Sequence, residues 1–111
     1  MSSPPRRISS TTDGFTLWAG GERLRQVGWS EIIRIDAFKV DLLTMDAICL
    51  EIRLASGAAC VVDDDATGFW ELVATIKRAL PESRQDWEQA VVHPAFAGNR
   101  TVIFGVEPSK G

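Results

Sequence analysis

The feature that most constrains the fold of this chain is a change of hydrophobic period between residues 48 and 80. Apolar residues first stand at every second position, which is typical of a strand with one buried face. These residues are Ile48, Leu50, Ile52 and Leu54. Apolar residues then recur at the spacing of one helix face, as Phe69, Leu72, Val73, Ile76 and Leu80. A sheet and a helix that each have one apolar face bury each other, so the sequence predicts an α+β domain.

Other segments alternate in the same way between turn residues, so they are also predicted as strands. They are residues 15–19, 22–27, 32–39, 58–62 and 101–104. Thr67 or Asp65 is expected to cap the main helix, and Ser83 to cap a shorter helix at residues 83–91. The predicted architecture is a curled, mainly antiparallel β-sheet capped by one amphipathic helix, with a short second helix.

The alternation also predicts which side chains face the core. In the strand at residues 32–39, Ile33, Ile35 and Ala37 are expected on one face, and Ile32, Arg34, Asp36 and Phe38 on the other.

The two cysteines are predicted to be free thiols. In the hairpin at residues 47–62, Val61 is expected to lie opposite Ile52. The same pairing places Cys49 and Cys60 on one sheet face but too far apart along the strands for a disulfide. Free thiols are typical of a cytosolic protein.

The length of 111 residues suits a single domain. Residues 1–12 are rich in Ser, Thr, Pro and Arg, so we expect a flexible arm there. The folded domain is expected at residues 13–106, and residues 107–111 are expected to form a tail.

Charge and hydropathy exclude several function classes. The net charge of −3 and the scattered basic residues disfavour nucleic-acid binding. No apolar run approaches the roughly 18 residues needed to cross a bilayer. Residues 1–12 lack the apolar segment of a secretory signal. We therefore expect a soluble, cytoplasmic protein without membrane or nucleic-acid partners.

The candidate catalytic and metal-binding residues fit ordinary structural roles better. The run of Asp63, Asp64 and Asp65 has Ala74 where a calcium-binding loop needs its last carboxylate. His93 is the only histidine, and no nucleophile motif accompanies it. The prediction is a protein that is not an enzyme and has no metal site and no cofactor.

Five residues are candidates for binding a protein partner. Lys39, Asp41 and Asp46 surround the predicted connection between the two longest strands, where they would form an ion-pair network or a binding edge. Trp18 and Trp70 stand beside the predicted apolar faces rather than on them, and exposed tryptophans are enriched at protein interfaces. The alternative is that each tryptophan packs at the border of the core. An open sheet edge would also permit a homodimer.

The combined pattern resembles a group of small, largely uncharacterised bacterial proteins with a pleckstrin-homology-like fold. The residues that carry it are Trp29-x-x-Ile32, Lys39-x-Asp41, Asp46-x-Ile48, Asp64 or Asp65, Gly68-Phe69-x-x-Leu72, Leu80-Pro81, Trp87 and Pro94-x-Phe96. The resemblance covers most of residues 13–104 and implies a curled antiparallel sheet capped by a C-terminal helix. The chain departs from that pattern, with five predicted strands before the helix instead of seven and without the basic loop of phosphoinositide binders. The resemblance therefore implies an architecture and no particular ligand.

Three functions follow from these observations. The leading hypothesis is a non-catalytic protein-interaction module with an unknown protein partner. The alternative is an immunity-type inhibitor, a small acidic protein that blocks a toxic enzyme. A weaker alternative is a small enzyme that uses His93 or the run of Asp63, Asp64 and Asp65.

Overall fold

The computed structural model describes residues 6–41, 46–92 and 100–105. Their strands are β1 (Arg7–Ser10), β2 (Gly14–Ala19), β3 (Glu22–Gly28), β4 (Ile32–Asp41), β5 (Asp46–Leu54), β6 (Ala59–Asp63) and β7 (Thr101–Phe104). The helices are α1 (Phe69–Ala79) and α2 (Trp87–Val92), and a single 3₁₀ turn covers Trp29–Glu31. The strands form two antiparallel sheets, with the orders β1-β2-β3 and β6-β5-β4-β7. The predicted α+β fold, with one main helix and a shorter second one, is confirmed.

The apolar stripe of α1 packs into one core with both sheets. Phe69, Leu72, Val73 and Ile76 are buried on α1, as its helical spacing predicts. They join Phe15 of β2 and residues of β4 and β5 in a single cluster of buried side chains. Burying each of these large side chains contributes about 2 kcal/mol before the entropy of ordering it. Among the described helices, none is long and apolar enough to cross a membrane.

The expectation of a flexible arm over residues 1–12 is wrong for residues 7–10. These residues form β1, which pairs with β2 from Arg7 opposite Trp18 to Ser10 opposite Phe15. Ile8 is buried in the core. The polar composition of the segment concealed a strand because Ile8 is its single apolar anchor. Residues 1–5 and 106–111, which include the predicted tail, lie outside the described residues.

A β-bulge reverses the predicted orientation at the start of β4. Ile32 pairs with Leu54 and Arg34 with Arg53, so Ile33 is an extra residue in the ladder. Ile32 is therefore buried, like Ile35 and Ala37, and Ile33 is exposed, so the predicted grouping of Ile33 with Ile35 and Ala37 on one face is wrong. A bulge inserts one residue and so exchanges the faces on either side of it.

The predicted register between β5 and β6 is wrong by one residue. Ile52 pairs with Cys60 rather than Val61, and Cys49 pairs with Asp63. Because side chains alternate with period two, a slip of one residue moves every inward side chain of β6 to the other face. Val61 is consequently exposed, and Cys49 and Cys60 lie on opposite faces of the sheet. Both thiols are free, as predicted, although their separation has a different cause.

The helix caps also differ from expectation. Gly68 is the N-cap of α1, with φ of 90°, and no side chain caps the helix there. The carboxylate of Asp63 accepts a hydrogen bond from the amide of Asp65 at 3.0 Å, so this carboxylate stabilises the preceding turn. Helix α2 begins at Trp87, and Ser83 lies buried before it rather than at its N-cap.

Candidate functional site

The most unusual surface of the described residues is the side of the four-stranded sheet that faces away from α1. Alternation in β4 and β5 sends Ile35, Ala37, Leu50 and Ile52 into the core, so their neighbours point the other way. We call this side the outer face. It consists of Arg34, Asp36, Phe38, Val40, Cys49, Glu51, Arg53 and Val61, together with the side chain of Arg100, which lies against them.

Asp36 is the centre of the outer face, and two arginines hold its carboxylate. The Nε of Arg34 donates to Oδ1 at 2.6 Å and an Nη of the same guanidinium donates to Oδ2 at 3.1 Å. The Nε of Arg100 donates to Oδ2 at 3.0 Å. Asp36 is only 3% exposed, and a buried carboxylate is tolerated when it is paired and hydrogen-bonded in this way.

Arg100 extends the network from β4 to β5. It contacts Glu51 through a second N–H group, and Arg53 lies 3.5 Å from the same carboxylate. The guanidinium carbon of Arg100 also lies 4.6 Å from the centre of the Phe38 ring, within range of a cation–π interaction. Because Arg100 immediately precedes β7, these contacts hold the start of β7 against β4 and β5.

The pairing of the strands explains why the charges need each other. Arg34 stands directly opposite Arg53, and Asp36 stands opposite Glu51. Like charges opposite one another destabilise a sheet. Here a row of two cations borders a row of two anions, and each row compensates its neighbour. Arg100 adds a third guanidinium, so the cluster has one excess positive charge.

The guanidiniums also determine the ionisation of Asp36. Burial by itself raises the pKa of Asp36, but hydrogen bonds and charges from Arg34, and then from Arg100, outweigh it and lower the pKa below the usual 3.8. The carboxylate is therefore ionised throughout the physiological range.

Solvent meets cations rather than anions at this cluster. The side chains of Arg53 and Arg100 are 52% and 46% exposed, whereas those of Asp36 and Glu51 are 4% and 17% exposed. An arginine has five N–H donors and no acceptor. The accessible polar groups are thus mainly N–H donors, and the carboxylates of Asp36 and Glu51 lie below them in the sheet. Such donors suit carboxylates on a binding partner.

Two exposed valines flank the cluster. Val61 is 50% exposed and lies opposite Glu51, and Val40 is exposed near the far end of β4. The outer face therefore combines a cationic centre with exposed apolar side chains on two sides.

The structure places the predicted site at residues 39–46 differently from the expectation. Lys39 is not on a connecting loop, because β4 continues to Asp41 and β5 begins at Asp46, and these two residues are opposite each other. Lys39 lies opposite Ile48 and is only 9% exposed. The side chains of Asp41 and Asp46, and residues 42–45, lie outside the described part of the chain.

The two predicted tryptophans stand in different elements. Trp18 lies in β2, where its indole N–H donates to the Ser9 hydroxyl at 3.0 Å and the guanidinium of Arg7 lies 4.6 Å from its ring centre. Trp70 lies near the start of α1, is 49% exposed and has an edge contact with Phe69. Trp18, Trp70 and Lys39 thus belong to three separate elements.

Sequence reasoning missed the charged residues of the outer face. Alternation alone places Arg34 beside Asp36 on one strand and Glu51 beside Arg53 on the next, which is a readable signal. The decisive contact is with Arg100, which is 64 residues away from Asp36 along the chain. No local pattern indicates a contact of that kind.

The described residues hold no group of three or more side chains suited to a metal ion. Burial raises the pKa of Cys49 to about 11, with Asp63 and Asp64 adding to the effect, so this thiol stays protonated at neutral pH. Burial likewise raises the pKa of Asp64. His93 lies outside the described residues, as do Pro94 and Phe96.

Comparison with known proteins adds no relative. No protein-family model, no curated protein and no solved structure matches the chain.

Proposed function

We propose that the protein is a non-catalytic interaction module whose outer face binds a partner protein through the partner's carboxylates. The observation that carries this proposal is the exposure of the Arg53 and Arg100 guanidiniums above the buried carboxylate of Asp36 and the partly buried carboxylate of Glu51. Charge complementarity selects an acidic partner segment rather than a basic one.

The network reduces the entropic cost of binding. A free arginine side chain loses rotamer freedom when it binds, which costs about 0.5–1.5 kcal/mol for each immobilised side chain. Arg100 is already held by Asp36, by Glu51 and by the Phe38 ring. Arginine is also enriched among the residues that dominate binding energies.

The flanking valines supply the apolar part of the interface. Charged contacts at an interface contribute mainly to specificity and to the rate of association. Burial of Val61 and Val40 by a partner would add the nonpolar contribution that charges alone do not give. We therefore expect a partner segment that places acidic residues next to apolar ones.

The test measures capture of a partner by wild type and by Arg53→Glu protein. Both are used to purify binding proteins from cells, and each captured protein is then titrated as a pure component by calorimetry. The proposal expects an acidic partner whose affinity falls at least about tenfold, or roughly 1.4 kcal/mol, in Arg53→Glu. It also expects weaker binding as salt is added.

Arg23→Glu is the matched control. Arg23 is another exposed arginine on a strand, but it lies on β3 in the other sheet. The Arg23→Glu variant should bind the captured partner with the wild-type affinity. Equal affinities for wild type and Arg53→Glu would disprove binding by the outer face.

The immunity-type inhibitor remains the alternative, since it also acts by binding. Capture of a basic enzyme whose activity the protein blocks would favour it over the proposal made here. An enzymatic role for His93 would need a measured activity that His93→Ala abolishes while the fold is retained.

The proposal includes a cytoplasmic location and membership of the bacterial group with the pleckstrin-homology-like fold. The free thiols of Cys49 and Cys60 support the first. The antiparallel sheets and the covering helix support the second, although α1 is followed by α2 and β7 instead of being the last element.

A further inference from the structure

Strand β1 lies in a slot with hydrogen-bonding backbone on both sides. On one side it pairs with β2 along its whole length. On the other side the amide of Ile8 donates to the carbonyl of Thr67 at 2.8 Å, and the amide of Thr67 donates to the carbonyl of Arg6 at 2.9 Å. The rest of the domain thus forms a complete receptor for one extended segment.

Side chains fit the slot to the sequence of β1. Ile8 is buried in the core, Arg7 lies over the Trp18 ring and Ser9 accepts the Trp18 indole N–H. Gly68 is required where the strand passes, because a Cβ there would collide with the carbonyl oxygen of Ile8. These contacts recognise the residues of β1 itself, so the best occupant of the slot is a segment with the same sequence.

A short connection joins β1 to the rest of the domain. Only Thr11, Thr12 and Asp13 separate it from β2. The amide and hydroxyl of Thr11 both bond to Gly14, and the hydroxyl also accepts the amide of Asp13. The Trp29 indole N–H also donates to the carbonyl of Thr12 at 3.1 Å, and the Trp29 amide donates to the carbonyl of Asp13 at 3.1 Å. Exchange has to open this turn and its bonds to Trp29, whereas the contacts of β1 itself re-form in the partner copy.

We propose that two copies of this chain exchange β1, so that each copy's slot holds the β1 strand of the other. Exchange replaces every β1 contact by the same contact in the partner copy. Its cost is confined to opening the turn with its bonds to Trp29 and to association, and such exchange is a low-cost route to a dimer. The proposal does not depend on the outer face, which is built from β4, β5, β6 and Arg100.

The test uses full-length chains with one new cysteine each. Ser9 lies directly opposite Thr16 across β1 and β2, within reach of a short thiol cross-linker. Ser9→Cys and Thr16→Cys proteins are mixed at high concentration, incubated and cross-linked, and the products are resolved on a denaturing gel. The native cysteines are buried and free, and each parent protein cross-linked alone shows their background.

Exchange predicts a covalent heterodimer that increases with protein concentration and with incubation time. The control mixture pairs Ser9→Cys with Ser56→Cys, which places the second thiol in the exposed turn after β5. This control should give no heterodimer. A heterodimer of equal strength in both mixtures, or none in either, would overturn the proposal.

A second variant tests the turn directly. Deleting Thr11, Thr12, Asp13 and Gly14 removes an even number of residues, so the side-chain faces of β1 are kept. Ser10 is then bonded directly to Phe15, the residue opposite it in the native pairing, so β1 cannot fold back on β2 within one chain. Light scattering should therefore show a shift from monomer mass to dimer mass. A folded deletion variant that stays monomeric at every concentration also contradicts exchange.

Discussion

The two faces of strands β4 and β5 are both buried near their centre, yet by opposite chemistry. On the core face, Ile35, Leu50 and Ile52 are fully buried among apolar side chains. On the outer face, Asp36 is buried to almost the same degree, but its carboxylate is held by Arg34 and Arg100. The same backbone ladder therefore supports a hydrophobic layer on one side and an ionic layer on the other.

The difference indicates what each face is for. Replacing a buried ion pair by apolar residues of similar volume is often neutral or stabilising, so stability alone does not require charges at Asp36. The core face is sufficient to explain why the sheet folds. The outer face fixes the positions of exposed guanidiniums, which the proposed binding of a partner would use.

The largest effect on stability should appear when a lysine is placed on the core face in one variant and on the outer face in another. Leu50→Lys buries an ammonium group among apolar side chains, and its cost should exceed about 5 kcal/mol, comparable to the whole stability of a small domain. We expect an unfolded protein by circular dichroism. Val61→Lys, on the exposed side of β6, should change the free energy of unfolding by less than about 1 kcal/mol. Similar stabilities for the two variants would show that the faces are misassigned.

The next effect is the loss of the central carboxylate. Asp36→Ala leaves Arg34 and Arg100 without their shared partner, and breaking such a pair should cost about 3 kcal/mol in urea unfolding. Asp86→Ala is the control, since it removes an aspartate that is paired with Arg84 on the surface. That control should unfold at nearly the wild-type urea concentration. If the two variants lose equal stability, burial adds nothing to the Asp36 pairs.

A related and smaller effect should appear with pH. The arginines lower the pKa of Asp36 in the folded state below its usual 3.8, so folding is favoured by the ionised form. This contribution is complete above the unfolded pKa and is lost as the pH falls through the folded pKa. The difference in unfolding free energy between wild type and Asp36→Asn should therefore narrow in urea titrations below pH 3.8. A difference that stays constant down to pH 2 would contradict the lowered pKa.

The sequence was sufficient for elements with a strong local period. The alternation at Leu50 and Ile52 and the helical spacing of Leu72 and Ile76 correctly predict β5 and α1, because burial of one face imposes each period. These features depend on residues that are near each other in the chain.

The errors have long-range causes. The orientation of Val61 depends on the register between β5 and β6, which the sequence of one strand does not determine. Ile33 lies at a bulge that no residue type in the sequence indicates. Strand β1 is stabilised by Thr67, far along the chain. The outer face needed Arg100 to reach Asp36. Local composition contains none of these contacts, so the candidate site was less predictable than the fold.

The smallest expected effect on stability is the most informative about function. Arg53 is more than half exposed, stands opposite another arginine and lies 3.5 Å from Glu51. An exposed ion pair of this kind contributes about 0–1 kcal/mol, so Arg53→Ala should scarcely change the free energy of unfolding. It removes an accessible donor of the outer face, however, and should weaken partner binding measured by calorimetry. A variant that keeps both its stability and its affinity would contradict binding through Arg53, whereas loss of affinity at unchanged stability would separate binding from folding on this face.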